Sequence, residues 1–145
     1  MGRIGLANAR QQDMQDGILH YGLTGKILKC AFKIAAKLGS GFLESVYKKA
    51  LLIALQKEGF SVEVEKAFTV FYEDQAVGLF YADLIVEEAV IIEVKACETL
   101  IPEHQAQLIN YLSASGLPVG LLINLGRRRV QYHRVSHPAY PAGER

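Results

Sequence analysis

The chain has 145 residues, which fits one domain, and half of it is hydrophobic, so a sizeable core can form. Lysine and arginine number 16 against 15 aspartates and glutamates, a net charge of +1 that excludes a global basic signature and leaves any nucleic-acid partner to a local patch. Cys30 and Cys97 form no CxxC pair, which argues against a zinc site or disulfide framework, and no apolar run reaches the roughly 18 residues of a membrane helix.

Met1 to Asp16 has no apolar signal-peptide core, so a cytoplasmic protein with two reduced thiols and no membrane partner is expected. Residues 1–20 are polar and aperiodic and read as a flexible arm, 21–136 as the folded domain and 137–145 as a tail. From Leu23 to Leu38 the apolar positions Ile27, Leu28, Ala31, Phe32, Ala35 and Leu38 recur at helical spacing, and Gly39-Ser40-Gly41 breaks the pattern. A second helix is expected over Phe42 to Lys57, with Leu43, Val46, Tyr47, Ala50, Leu51 and Ala54 inward and Gly59 closing it.

Beyond Gly59 the period changes to two. Strands are expected at Val62 to Tyr72, Val77 to Val86 and Val90 to Cys97, with Glu73-Asp74-Gln75 as the first turn. Pro102 suits the start of a helix that ends before Gly116 and Pro118. Val119 to Asn124 is almost wholly apolar, as a strand covered on both faces would be, and Arg129 to Val135 alternates as a last strand. The sum is one layered α/β domain.

The second hairpin carries the chemistry. Strand alternation sets Ala82, Leu84 and Val86 on one face and Tyr81, Asp83 and Ile85 on the other, while Glu93 and Lys95 share a face with Ile91. A three-residue loop, Glu87-Glu88-Ala89, pairs Val86 with Val90, Ile85 with Ile91, and Asp83 with Glu93. Like charges opposite each other on a sheet are destabilising, more so among apolar neighbours. A shared proton, Lys95 or a divalent ion such as Mg²⁺ could offset the repulsion. A solvent-facing strand surface with a cross-strand salt bridge accounts for the same residue types.

Asp83, a hairpin and then Glu93-Val94-Lys95 resembles the PD-(D/E)XK nuclease superfamily, with Ala82 where Pro is common. Gly41-Phe42-Leu43-Glu44-Ser45-Val46-Tyr47 resembles the signature of the GxxExxY proteins, a branch of that superfamily. His104-Gln105-Ala106-Gln107-Leu108-Ile109-Asn110-Tyr111 is similar to its HxxQxxxY segment. Two departures stand out: no His precedes the Gly-x-Gly within Phe32 to Ala36, and Ser40 stands where Pro is frequent.

The resemblance implies a central mixed sheet with flanking helices in αβββαβ order and a Mg²⁺- or Mn²⁺-dependent nuclease cleaving DNA or RNA. In that reading Asp83, Glu93 and the Val94 carbonyl hold the metal, with Glu44 as a further ligand. Lys95 orients the attacking water and stabilises developing charge, and Gln107 fixes the phosphate, supported by Tyr47, His104 and Tyr111. Each residue type also has a plainer explanation. Glu44 suits a helix N-terminus, taken with Gly41 as N-cap. Tyr47 suits the core, and His104, Gln107 and Tyr111 suit one polar edge of an amphipathic helix. Arg127-Arg128-Arg129 could grip backbone phosphates or form a solvated turn, and Lys48 and Lys49 read the same way. A homodimer would join two small basic patches into one groove. The competing readings are a non-catalytic nucleic-acid or protein-interaction module on a nuclease fold and a metal-dependent hydrolase for a small phosphorylated molecule.

Overall fold

A computed structural model describes residues 20–139, so nearly all of the arm and most of the tail lie outside the described residues. Helix α1 spans Tyr21–Leu38 and buries Leu23, Ile27, Cys30, Ala31 and Ile34, one stripe at three- and four-residue spacing. Gly39, at φ 71°, ends it by returning its N–H to the Ala35 carbonyl. Phe32 falls off this stripe and meets Tyr132 edge-on at 6.2 Å instead.

Helix α2 spans Glu44–Lys57, two residues shorter at its start than the apolar pattern predicts, because Leu43 is its N-cap. Leu43 and Val46 are exposed, not inward; the buried stripe is Tyr47, Leu51 and Leu55.

Strand β1 (Val62–Tyr72) and strand β2 (Gln75–Val86) form a long antiparallel ribbon. Its turn is the two residues Glu73 and Asp74, at φ 48° and 64°, so β2 starts before Val77 and pairs Gln75 with Tyr72. Strand β3 (Val90–Lys95) returns antiparallel to β2, with Val86 opposite Val90, Ile85 opposite Ile91 and Leu84 opposite Ile92. Helix α3 (Pro102–Ser115) crosses to strand β4 (Val119–Asn124), parallel to β3 and buried along its whole length, and β5 (Gln131–Ser136) closes the antiparallel far edge. The sheet order is β1-β2-β3-β4-β5.

Two cores sandwich the sheet. One joins α1 and α2 to Leu84, Val86, Val90, Ile92, Val94, Leu121 and Ile123; the other joins α3, through Leu108 and Leu112, to Ala82, Ile85, Ile91, Leu122 and Val135. Helices on both faces of a mixed sheet give the layered α/β domain expected of the sequence, with the central mixed sheet and flanking helices that the resemblance implied. Among the described residues no helix is long and apolar enough to cross a membrane.

One detail departs from simple alternation. Ala82 faces α3 together with Ile85, whereas Leu84 and Val86 face the other core. The side-to-side pattern therefore breaks between Ala82 and Ile85, at Asp83. On the other side of β2 the Glu65–Asp83 pair is missing between Val64–Leu84 and Lys66–Ala82, and Glu65 takes φ 50°. A non-glycine residue in the left-handed region inside a strand is uncommon.

Candidate active site

The β2–β3 ladder opens just past Leu84 and Ile92, and the carboxylates of Asp83 and Glu93 fill the opening. Asp83 Oδ2 accepts the Val94 N–H at 2.9 Å, and Glu93 Oε1 accepts the Asp83 N–H at 3.3 Å. Each acid thus replaces a backbone carbonyl as partner to the facing strand. The two carboxyl groups are also near enough for a direct hydrogen bond between them when Glu93 is protonated.

Glu93 is only 8% exposed. Burial, then the Asp83 charge, push its carboxyl up to about 8, against the opposing pull of the Asp83 N–H and the Lys95 charge. The same negative field reaches α3: burial first, then Glu93 and Asp83, raise the Tyr111 phenol above its ordinary value. Tyr111 is anchored by stacking on Phe80 of β2, with ring centroids 4.0 Å apart. Lys95 ends β3 two residues from Glu93, half-buried, its carbonyl accepting the Leu125 N–H.

The other motif residues distribute differently. Glu44 is exposed at the first position of α2, not the third, and among the described residues no three His, Cys, Asp or Glu side chains gather where they could hold a metal. Glu44 therefore stands apart from the Asp83–Glu93 pair. The Tyr47 hydroxyl is not turned to a carboxylate: it donates to the Gly39 carbonyl at 2.6 Å and accepts the Phe42 N–H at 3.2 Å, clamping the α1–α2 loop. His104 Nδ1 accepts the Ile101 N–H at 3.2 Å, a helix-capping bond at the start of α3. Gln107 is exposed one turn before Tyr111 on α3. Arg127, Arg128 and Arg129 are exposed in the β4–β5 turn, where Arg127 donates to Gln131 Oε1 at 3.2 Å.

Lys48 belongs to the site, although the sequence offered for it only a phosphate-gripping or a solvated role. Its ammonium lies 2.7 Å from Glu65 Oε1 and 3.8 Å from Asp83 Oδ1. Burial works to lower its pKa, but the bond to Glu65 and the charges of Asp83, Glu65 and Glu93 outweigh it and raise the value above the ordinary lysine range. Only the packing of α2 across β1 and β2 brings these groups together, and no sequence spacing announces it.

Asn124 is a second group that spacing did not reveal. It is fully buried, and its Oδ1 accepts the N–H groups of Cys97 and Gly126 while its Nδ2 donates to the Cys97 carbonyl. It thereby fixes the chain leaving Lys95. A buried polar residue ending an otherwise apolar strand is the signal that could have marked it.

Taken together, the site offers two hard oxygen donors at a break in the sheet, with Lys48 in ion-pair contact with Asp83 and the Lys95 charge acting on Glu93. Such a set can hold a divalent cation and meet an anionic substrate.

Comparison with known proteins bears on the fold and the superfamily. No curated protein matches the chain. The solved structure of SSO0001 superposes with a TM-score of 0.50 at 19% identity, over 65% of this chain and 50% of that one. The chain thus spans about half of that protein, and at this identity the likeness is one of fold. The family model of the PD-(D/E)XK nuclease superfamily matches residues 21–135, from the start of α1 to the end of β5, and the chain belongs to that superfamily.

Proposed function

We propose that the protein is a Mg²⁺- or Mn²⁺-dependent nuclease of the GxxExxY branch, hydrolysing phosphodiester bonds of DNA or RNA. The observation that carries this reading is the Asp83–Glu93 pair: two acids held at one break in the sheet, one of them 8% exposed and pushed up to about 8. A protein keeps such a repulsive, poorly solvated pair at a cost, and sites that do so are commonly functional. Superfamily nucleases generally use divalent metals. The residues fit such an ion, because they supply hard oxygen donors and an excess negative field that a cation relieves.

Asp83 and Glu93, with the Val94 carbonyl, would hold the ion. Bound there, it supplies Lewis-acid polarisation of the phosphate and of the attacking water. Lys95 orients that water and stabilises negative charge building on the phosphate oxygens. Gln107, exposed one turn from Tyr111, bonds a phosphate oxygen of the substrate, and Tyr111 lines the same mouth. Arg127, Arg128 and Arg129 contact the nucleic-acid backbone, and pairing of two chains doubles that small basic surface. The GxxExxY assignment rests on Gly41 to Tyr47 and His104 to Tyr111. In this reading Tyr47 and His104 shape loops and helix ends, and Glu44 is left without a ligand role.

The test is cleavage of single-stranded, duplex and branched DNA and of RNA with Mg²⁺ or Mn²⁺, run beside Asp83→Ala and Lys95→Ala. Metal-dependent cleavage lost in both variants is expected. Nucleic-acid binding with no cleavage on any substrate would replace this reading with that of a non-catalytic module.

A further inference from the structure

Lys48 has no place in the pattern of Asp83 followed by Glu93-Val94-Lys95, yet among the described residues it is the cation in ion-pair contact with the Asp83 carboxylate. The contact is built from three elements. Helix α2 carries Lys48, β1 carries Glu65 and β2 carries Asp83. Glu65 and Asp83 stand opposite each other at the unpaired step between Val64–Leu84 and Lys66–Ala82, and the ammonium lies 2.7 Å from the first and 3.8 Å from the second. The far oxygen of Asp83 is bound to the Val94 N–H. The oxygen that Lys48 faces, Oδ1, is thus the one turned away from the β2–β3 tie and toward an incoming cation.

We propose that Lys48 is a metal-gating residue: its ammonium competes with a divalent ion for Asp83 Oδ1, and Glu65 sets the strength of that competition by drawing the ammonium away. This rests on the reading of Asp83 and Glu93 as the metal-holding pair. With Glu65 intact the ammonium sits closer to Glu65 than to Asp83, and the site is open to metal. With Glu65 neutralised, Lys48 turns onto Asp83 and closes it. Lys48 acts through Asp83 and is a positioning residue. Its exposed partner gives the centre an adjustable metal affinity, since Glu65 is 61% exposed and within reach of solution cations.

The experiment is Mn²⁺ binding to the full chain by electron paramagnetic resonance, which needs no catalysis. Lys48→Met is expected to tighten binding about tenfold or more, because a like charge a few ångströms from the ion is removed. Lys48→Arg keeps the charge and restores wild-type affinity. Lys66→Met, which removes a nearby lysine paired with Glu63 at 3.1 Å, controls for net charge and leaves affinity within about twofold. Glu65→Gln weakens binding in the wild-type background and has no effect in Lys48→Met, because Glu65 works only through Lys48.

Equal affinity of wild type and Lys48→Met overturns the inference while leaving the metal site standing. Equal weakening by Glu65→Gln in both backgrounds also overturns it, by making Glu65 a ligand in its own right. Absence of binding to both wild type and Lys48→Met at millimolar Mn²⁺ removes the metal reading and the gate together. Binding by Lys48→Met alone supports the gate in its strongest form. Circular dichroism confirms that each variant is folded.

Discussion

Asp83 and Glu93 lock the two strands that carry them: the Glu93 carboxylate accepts the Asp83 N–H at 3.3 Å, and the Asp83 carboxylate accepts the N–H of Val94 at 2.9 Å. The acids are thus structural ties and chemical groups at once, and their protonation is linked to stability.

The sign of that linkage is unusual for a carboxylate. The Glu93 carboxyl is raised from 4.5 to about 8 in the folded chain, so between those values the folded state binds a proton that the unfolded state has released. Stability of the metal-free protein should therefore fall as pH rises through this window, with a slope approaching about 1.4 kcal/mol per pH unit, and level off above it. Urea denaturation of wild type and Glu93→Gln from pH 5 to 9, with a chelator present, reads this directly. The variant should lack the wild-type decline; identical slopes would show that Glu93 is not the linked group.

Metal binding carries the opposite dependence. A divalent ion must displace the proton shared near Glu93, so Mn²⁺ affinity should climb with pH up to about 8 and then flatten. At Mn²⁺ concentrations about a hundredfold above Kd the folded chain should gain about 2.7 kcal/mol. Thermal shift with and without Mn²⁺ at pH 6 and pH 8 measures both effects, and Asp83→Ala should show no shift at either pH.

Much of this arrangement was legible in the sequence. The three-residue loop and the matched pairs Val86–Val90 and Ile85–Ile91 gave the hairpin register, because slipping by one residue would turn every apolar side chain to the wrong face. What periodicity could not reveal was the break at Asp83. Alternation assumes an unbroken ladder, and here carboxylates take over its hydrogen bonds, so Ala82 ends on the α3 side. The start of α2 was misplaced for a related reason: Leu43 reads as an apolar helical position but serves as an exposed N-cap. Lys48 was invisible because its contacts span three elements.

Tyr47 offers a test that separates scaffold from chemistry. Its buried hydroxyl bridges the Gly39 carbonyl and the Phe42 N–H. Tyr47→Phe keeps the ring and leaves both backbone groups without this partner, so a loss of about 1–3 kcal/mol in denaturation is expected. Mn²⁺ affinity should stay within about twofold, since the hydroxyl makes no contact with Asp83 or Glu93. A large fall in affinity with unchanged stability would instead assign the hydroxyl to the site.

The exit of β3 should prove the least tolerant part of the site's framework. Gly126 lies against the backbone just beyond Lys95: a Cβ built on it would come 2.4 Å from the Ala96 carbonyl carbon and 2.5 Å from the Cys97 nitrogen. Backbone atoms cannot step aside as a side-chain tip can, so Gly126→Ala must push the β4–β5 turn away from the β3 exit. That movement strains the Gly126 N–H bond to Asn124 Oδ1 and the Leu125 N–H bond to the Lys95 carbonyl, at 3.0 and 2.9 Å. A cost of about 2–4 kcal/mol is expected, in the range of overpacking combined with broken buried hydrogen bonds. Asn124→Ala removes the Gly126 tie and the two Asn124 bonds to the Cys97 backbone without adding bulk, leaves the Leu125–Lys95 backbone bond, and should cost about 1–3 kcal/mol. Comparing the two by urea denaturation separates clash from lost bonding, and equal stability of Gly126→Ala and wild type would show that the close approach is not maintained in solution. In the proposed nuclease both variants should lower the cleavage rate more than they alter Mn²⁺ affinity, because they loosen Lys95 while leaving the Asp83–Glu93 pair in place.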